Sequence, residues 1–247
     1  MSLHRLTRPQ PEPQVSFLLL SGGVGSRSNH HESKQFYKLA GHPMIAHSII
    51  AAVRTPHVAE IIVNAPEGFE DRTREIMDAY CAGLPYKILP AGETRQESCE
   101  ALLAAAEKDV VVLHEAARPF ISVDMLTDLI TCETENAGYC HAIAFSMCRI
   151  DPETRQVMRG VPRDKVFDIQ LPQKFARATL TDAHAKARQE AKTYNEDSVM
   201  VVEMTKQPVL SLEGTSRNRK VTTPEDFLIA EGMMKDFHSK GKVTHHV

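Results

Sequence analysis

Apolar runs of strand length alternate with amphipathic stretches of helical length along the first half of this chain. Val15–Leu20 is an almost unbroken apolar run, as expected of a strand covered on both faces of a sheet. Residues 43–55 follow, with Ile45, Ile49, Ile50 and Val53 at helical spacing. The alternation continues with a strand at 61–64, a helix at 71–80, a strand at 86–89 and an alanine-rich helix at 96–107. A β-branched strand at 110–114 and a helix at 122–135, with Ser122 as its N-cap, complete the series. Repeated β-then-α units predict an α/β fold: a doubly wound, mostly parallel twisted sheet with right-handed crossovers. Ligands of such sheets bind beyond the carboxyl ends of the strands.

Between about residues 148 and 168 the alternation stops. Turn chemistry at Ile150-Asp151-Pro152-Glu153-Thr154-Arg155 is flanked by Val157-Met158 and Val166-Phe167. On pattern alone this is either a protruding β-arm or a long surface loop. Helix resumes at 180–191, and a last helix follows Thr223-Pro224-Glu225-Asp226, with Thr223 as N-cap, Pro224 as first helical residue and Asp226 in the first turn. Residues 1–14, polar and carrying three prolines, lack the apolar middle of a signal peptide and are expected to be a disordered lead. Residues 15–240 then form a single domain, and 241–247 a tail.

Composition narrows the partners. With 247 residues, 42% hydrophobic and 25% charged, the chain is ordinary for a globular domain. A net charge of -3 gives no electrostatic reason to expect nucleic acid, so any phosphate site must be local. No apolar run approaches the roughly 20 residues that span a bilayer, so no membrane partner is expected. Five cysteines at scattered spacings, with no C-x-x-C pair, suggest reduced thiols and a cytoplasmic location.

The candidate chemistry begins where the first strand breaks into Ser21-Gly22-Gly23-Val24-Gly25-Ser26, followed by Arg27 and Lys34. Glycines after a strand let backbone N–H groups approach phosphate oxygens, and two cations beyond them would neutralise a polyphosphate. The turn lacks the Gly-Lys-Ser/Thr ending of a P-loop. It also fails the dinucleotide fingerprint, since Ser28 stands where Gly or Ala is needed and Asn64 follows the second strand. Gly92-Glu93-Thr94-Arg95-Gln96-Glu97-Ser98 follows a strand and opens a helix, where free N–H groups favour an anion; capping by Thr94 explains the same residues. His114-Glu115-Ala116-Ala117-Arg118 ends a buried strand, and its carboxylate suits Mg²⁺ or a ribose hydroxyl, or else pairs with Arg118 at the surface. Arg217-Asn218-Arg219-Lys220 gathers three cations. No H-E-x-x-H metal spacing or G-x-S-x-G elbow occurs.

Taken in order, these blocks resemble the cytidylyltransferases typified by 2-C-methyl-D-erythritol 4-phosphate cytidylyltransferase, whose relatives include ribitol-5-phosphate cytidylyltransferase. The shared pieces are Gly22-Gly23-x-Gly25-x-Arg27, Lys34-Gln35-Phe36, Gly92-x-Thr94-Arg95-Gln96-x-Ser98, His114-x-Ala116-Ala117-Arg118-Pro119-Phe120, Pro172-Gln173-x-Phe175 and Asn218-x-Lys220-Val221-Thr222. The resemblance implies a Rossmann-like nucleotidyltransferase with a β-arm. In its reaction the oxygen of a sugar- or polyol-phosphate attacks the α-phosphorus of CTP and displaces pyrophosphate. It implies Arg27, Lys34 and Lys220 as catalytic cations, and residues Ser21, Gly22, Gly23, Val24, Gly25 and Ser26 around the triphosphate. Gly92, Arg95 and Ser98 would read cytosine, and Glu115 with Ala116 would lie by the ribose, Glu115 also holding Mg²⁺. Arg118, Arg149, Arg163, Leu171 and Asn195 would meet the acceptor. A homodimer through the arm at 148–168 is implied as well.

Several positions depart from the family pattern. Glu115 replaces Asp, Ser33 replaces a proline, and Leu171 stands where Thr usually precedes Pro-Gln. Cys148-Arg149 stands in place of an Asp-Thr pair, Asn195-Glu196-Asp197-Ser198 is a loose version of a Thr-Asp-rich segment, and Arg217 is unusual. Most of these fall in the acceptor half, which raises the expectation of an altered acceptor, ribitol phosphate or another phosphorylated alcohol. A CTP-binding relative without turnover is the alternative.

Overall fold

The structure, a computed structural model, describes residues 12–23 and 33–241, without the side chains of 236–241. The expected lead (beyond 12–14) and tail (242–247) lie outside the described residues, as do Val24, Gly25, Ser26 and Arg27.

The first strand, β1 (Val15–Leu20), is buried throughout, and its side chains divide by the period-2 rule of a strand. Val15, Phe17 and Leu19 enter one core, whereas Leu18 and Leu20 enter another on the opposite face. Two two-residue strands, β2 (Lys38–Leu39) and β3 (His42–Pro43), form a small antiparallel hairpin before α1 (Met44–Arg54). Helix α1 is buried more fully than one amphipathic face requires, with Ile45, Ala46, Ile49 and Ala52 all in the first core. Next come β4 (Val58–Ala65), α2 (Glu70–Tyr80), β5 (Tyr86–Pro90), α3 (Arg95–Ala104), β6 (Val110–Glu115) and α4 (Val123–Thr131). The predicted pattern holds here within a few residues at each boundary. Ser122 caps α4 by accepting a hydrogen bond from the Met125 N–H.

Strands β5, β4, β1 and β6 are parallel neighbours in that order. Beyond β6 the sheet continues through β10 (Phe167–Ala176), β7 (Ala137–Ala142) and β11 (Leu210–Glu213), and β10 runs antiparallel to both of its neighbours. The sequence pattern had not shown β7, most of β10, β11 or α6 (Asp197–Thr205). Helices α1, α2 and α4 cover one face of the sheet; α3, α5 (Arg177–Gln189) and α6 cover the other. The last helix, α7 (Pro224–Gly241), starts as expected, with the Asp226 N–H donating to Thr223 Oγ1.

The interrupted segment resolves into β8 (Met147–Ile150) and β9 (Val157–Val161), an antiparallel pair separate from the main sheet. Its turn is fixed by Asp151, whose Oδ1 accepts from the Glu153 and Thr154 N–H groups. The pair carries a row of exposed apolar side chains, including Val157 and Met158.

Candidate active site

The strand order reverses about β1: the chain moves outward through β4 and β5, then returns to place β6 on the other side. That switch point leaves a crevice at the carboxyl ends of the strands. A cavity of about 320 Å³ lies there. It brings together Ser21, Gly22, Gly23, Lys34, Gly92, Arg95, Ser98, Glu115, Ala116 and Lys220, all chosen from the sequence, and adds Gln35, Thr94 and Ala117.

Two close approaches explain the glycines. An ideal Cβ on Gly22 would lie 2.3 Å from the Ala91 Cβ, so the turn after β1 packs directly on the turn after β5. At Gly92 a Cβ would lie 2.6 Å from the Glu97 Cβ and 2.9 Å from the Ser98 nitrogen. The backbone can therefore fold onto the first turn of α3, where the Gly92 N–H donates to Ser98 Oγ at 3.0 Å. Accepting that bond leaves the serine O–H proton available as a donor.

Helix α3 starts with a full capping box. The Glu97 N–H donates to Thr94 Oγ1, and the Thr94 N–H donates to the Glu97 carboxylate. Capping and ligand presentation are thus not rivals: Thr94 fixes the helix start, and Arg95 and Ser98 line the cavity from it. On the opposite wall, Gln35 Nε2 donates to the Ser21 carbonyl at 2.6 Å. That bond ties the short 3-10 turn at Lys34–Phe36 to the glycine turn and brings Lys34 to the cavity.

Glu115, at the end of β6, is the electrostatic centre. Its Oε2 lies 2.7 Å from Lys220 Nζ and its Oε1 lies 3.3 Å from Arg95 Nε. Burial alone would raise this carboxyl, but the Lys220 and Arg95 charges outweigh it and hold the group below the usual range. It is therefore ionised at neutral pH. Arg95 spans the gap between Glu115 and a second carboxylate, Asp197, whose Oδ2 is 2.7 Å from its Nη1. Next to Glu115 on β6, His114 is wholly buried and burial lowers its pKa to about 3. It is neutral, with Nε2–H donating to the Arg118 carbonyl at 3.1 Å.

The acceptor-side residues chosen from the sequence do not reach the cavity. Arg118 is 6% exposed and forms no surface pair with Glu115. Its Nη1 donates to the Asn218 carbonyl at 2.8 Å and its Nη2 to the Ile169 carbonyl at 3.3 Å. With the Val221 N–H donating to the Ala117 carbonyl at 2.7 Å, these bonds fasten the segment that carries Lys220. Leu171 is 1% exposed and packs in the core between the sheet and α3 and α5, so it presents no surface to a substrate. Arg149 lies exposed on β8 and Asn195 exposed ahead of α6. Arg163 is exposed as well, its Nη1 donating to the Ala144 carbonyl.

Asp197 and Gln35 were not singled out as site residues, although both fall inside segments that were noted. Asp197 fell in the Asn195–Ser198 segment, but the helix it opens was not read from the sequence, and its partner Arg95 is distant in sequence, so only the fold joins them.

Comparison with known proteins agrees with this geometry. The family model for 2-C-methyl-D-erythritol 4-phosphate cytidylyltransferase matches residues 15–236. The chain is similar to proteins of that name from Deinococcus radiodurans (31% identity, covering 90% of each chain) and Clostridium botulinum strain Langeland (30% identity, 89% of this chain and 97% of the other). The solved structure of the Thermus thermophilus protein of that name superposes with a TM-score of 0.73 at 28% identity, covering 90% of this chain and all of that one.

Proposed function

Because the chain belongs to the 2-C-methyl-D-erythritol 4-phosphate cytidylyltransferase family, we propose that the cavity takes CTP and that its residues divide the work of nucleotidyl transfer. The enzyme is a cytidylyltransferase that joins CMP to a phosphorylated alcohol. An acceptor phosphate oxygen attacks the α-phosphorus of CTP, a new P–O bond forms, the α–β bridging bond breaks, and pyrophosphate leaves with the electron pair.

One observation carries the assignment. A base-reading group (Arg95 and Ser98 on a capped helix) and a phosphate-reading group (Gly22, Gly23, Lys34 and Lys220) open onto one cavity at the sheet's switch point. Arg95 and Ser98 supply fixed donors suited to cytosine, whose O2 and N3 both accept, whereas N3 of uracil carries a proton and would oppose a donor. Lys34 and Lys220 stabilise charge on the non-bridging and leaving oxygens as phosphorus becomes pentacoordinate, the role the sequence also gives Arg27, which lies outside the described residues. The triphosphate role expected of Val24, Gly25 and Ser26 falls outside the described residues, and Ala116 lines the cavity where the nucleotide would sit. The catalytically silent alternative finds no support in a site that keeps these cations together.

Mg²⁺ fits the donor set to one carboxylate. Glu115 is ionised and lines the cavity, and Mg²⁺ accepts one or two carboxylates with phosphate oxygens completing its shell. Its oxygens already contact Lys220 and Arg95, so the metal would share Glu115 with them. When bound it would supply positive charge to the phosphate chain.

The acceptor we assign is 2-C-methyl-D-erythritol 4-phosphate. The expectation of an altered acceptor drew on Leu171, Cys148-Arg149, Asn195–Ser198 and Arg217 together; of these, Leu171 is directed into the core and has no bearing on specificity. A homodimer is supported by the β8–β9 hairpin, where Val157 is 70% and Met158 65% exposed, with Phe145 79% exposed just before it. An apolar arm of this kind suits a second copy, and its docking would carry Arg149 and Arg163 toward an acceptor site. Five free cysteines fit a cytoplasmic setting, and no helix among the described residues is long and apolar enough to cross a membrane.

Pyrophosphate release with CTP, Mg²⁺ and a panel of acceptors tests the assignment. Turnover is expected with methylerythritol phosphate in preference to ribitol 5-phosphate. Release with neither would overturn it.

A further inference from the structure

Behind the cavity wall lies a buried polar cluster that the reaction leaves unused. Asp197, the first residue of α6, is 2% exposed. Around it stand Arg95 from α3, Cys99 one turn further along the same helix, and His184 from α5. Its Oδ2 holds Arg95 Nη1 at 2.7 Å, while its Oδ1 faces His184 Nε2 at 3.6 Å and the Cys99 thiol lies within 4.8 Å.

Burial by itself would raise the Asp197 carboxyl, yet Arg95 and His184 outweigh that and bring it down to about 2. The carboxylate is thus charged while enclosed. Burial pushes the Cys99 thiol well up, so it stays protonated beside Asp197. Cys99, His184 and Asp197 have the composition of a metal site, with ligand atoms all within 4.8 Å of one another. A permanently charged guanidinium on the carboxylate argues for a different use.

The Arg95 fork shows what that use is. Glu115 engages Nε and Asp197 engages Nη1, whereas Nη2 finds no partner among the described residues. Two carboxylates on opposite elements therefore fix the plane of the guanidinium and leave one nitrogen uncommitted. A buried ion pair adds little net stability compared with an apolar pair, but it fixes geometry well. The first turn of α6 also favours a carboxylate through its free N–H groups.

We propose that Asp197 is a positioning residue for nucleotide selection: with Cys99 and His184 behind it, it aims Arg95 so that cytosine is accepted over uracil. The proposal rests on the reading that Arg95 meets the base. Neither Asp197 nor His184 lines the cavity, so both act through Arg95.

The test is steady-state pyrophosphate release with CTP and with UTP for Asp197→Asn, His184→Gln and Arg95→Lys, each checked by thermal melting. Asp197→Asn should raise KM for CTP about tenfold or more and shrink the CTP-over-UTP ratio by a similar factor, with kcat little changed, as loss of a charge-assisted bond implies. His184→Gln should move the ratio the same way by a smaller factor. It remains readable if the asparagine variant fails to fold. An unchanged ratio in Arg95→Lys would remove the base-reading role itself. A changed ratio in Arg95→Lys, with an unchanged one in the folded Asp197 or His184 variants, would overturn the positioning role alone.

Discussion

Lys220 Nζ lies 2.7 Å from Glu115 Oε2, so the cation assigned to the reacting phosphates is held by a carboxylate that ends the central strand β6. Lys220 belongs to an irregular segment between β11 and α7, and a lysine on a four-carbon stem is otherwise mobile. Glu115 is anchored by the sheet and charged by its surroundings, so it lends that rigidity to the ammonium group.

Removing the cation should therefore strike turnover rather than binding. Lys220→Met is expected to lower kcat by about 100- to 1,000-fold, the cost typical of a lost electrostatic donor. Glu115→Gln keeps the shape and loses the charge, so it should lower kcat less, by roughly tenfold, and weaken dependence on Mg²⁺. Pyrophosphate release against CTP and Mg²⁺ concentration checks both. Equal kcat in the wild type and Lys220→Met would remove Lys220 from the mechanism.

The residues that gather at the cavity were legible in the sequence because their signals are local. A glycine turn after a strand, a capped helix start after another, and a carboxylate at a third strand end each declare themselves within a few residues. The far half of the sheet was not legible. Strand β10 carries Asp168, Gln170, Pro172, Gln173 and Lys174, which break any apolar or alternating pattern that would mark a strand. Two of its buried polar side chains are satisfied by distant partners: Gln170 Nε2 donates to the Thr215 carbonyl at 3.1 Å, and Lys174 Nζ to the Cys132 carbonyl at 2.7 Å. Arg118 misled for the same reason. An arginine beside a phosphate-like site looks like a ligand, and only the fold shows its nitrogens bound to two carbonyls.

The Gly22 and Ala91 contact offers a test with a built-in rescue. Gly22→Ala places a Cβ 2.3 Å from the Ala91 Cβ, forcing the two turns apart. Overpacking of this kind costs about 1–3 kcal/mol, and KM for CTP should rise with it. Ala91→Gly removes the clashing atom and leaves the Ala91 Cα 3.4 Å away, so the double variant should recover most of both losses. Melting temperature and KM measured across the cycle decide; additive losses would contradict the contact.

Stability should fall on acidification as the pH drops through and below the ordinary carboxylate range. Asp226 and Asp197 both have their carboxyls lowered from 3.8 to about 2. At Asp226 burial works against this, but N–H groups of Thr223 and Thr222 and their hydroxyls outweigh it. In the unfolded chain both groups take up protons at higher pH than in the folded one. Their stabilisation is complete above the unfolded value and is lost as pH falls toward 2, so melting temperature should drop steeply between about pH 5 and pH 2. Asp226→Asn should be less stable at neutral pH and show a shallower acid slope. Parallel slopes for variant and wild type would contradict the assignment.

Arg118 provides the last test, because its bonds place it outside substrate contact yet upstream of catalysis. Its guanidinium fastens Asn218, and Asn218 Nδ2 donates to the Leu171 carbonyl at 2.6 Å, so the loop leading to Lys220 is clamped against β10. Arg118→Lys keeps the charge but cannot reproduce a fork that reaches two carbonyls. The expected cost is about 1–3 kcal/mol of stability, from buried carbonyls left without donors. Loosening the clamp should also lower kcat, while KM for CTP changes little because Arg95 and Ser98 are untouched. If Arg118 instead met the acceptor phosphate, the same substitution would raise KM for the acceptor and leave melting unchanged. Kinetics in both substrates, read beside the melting temperature, separate a clamp from a ligand.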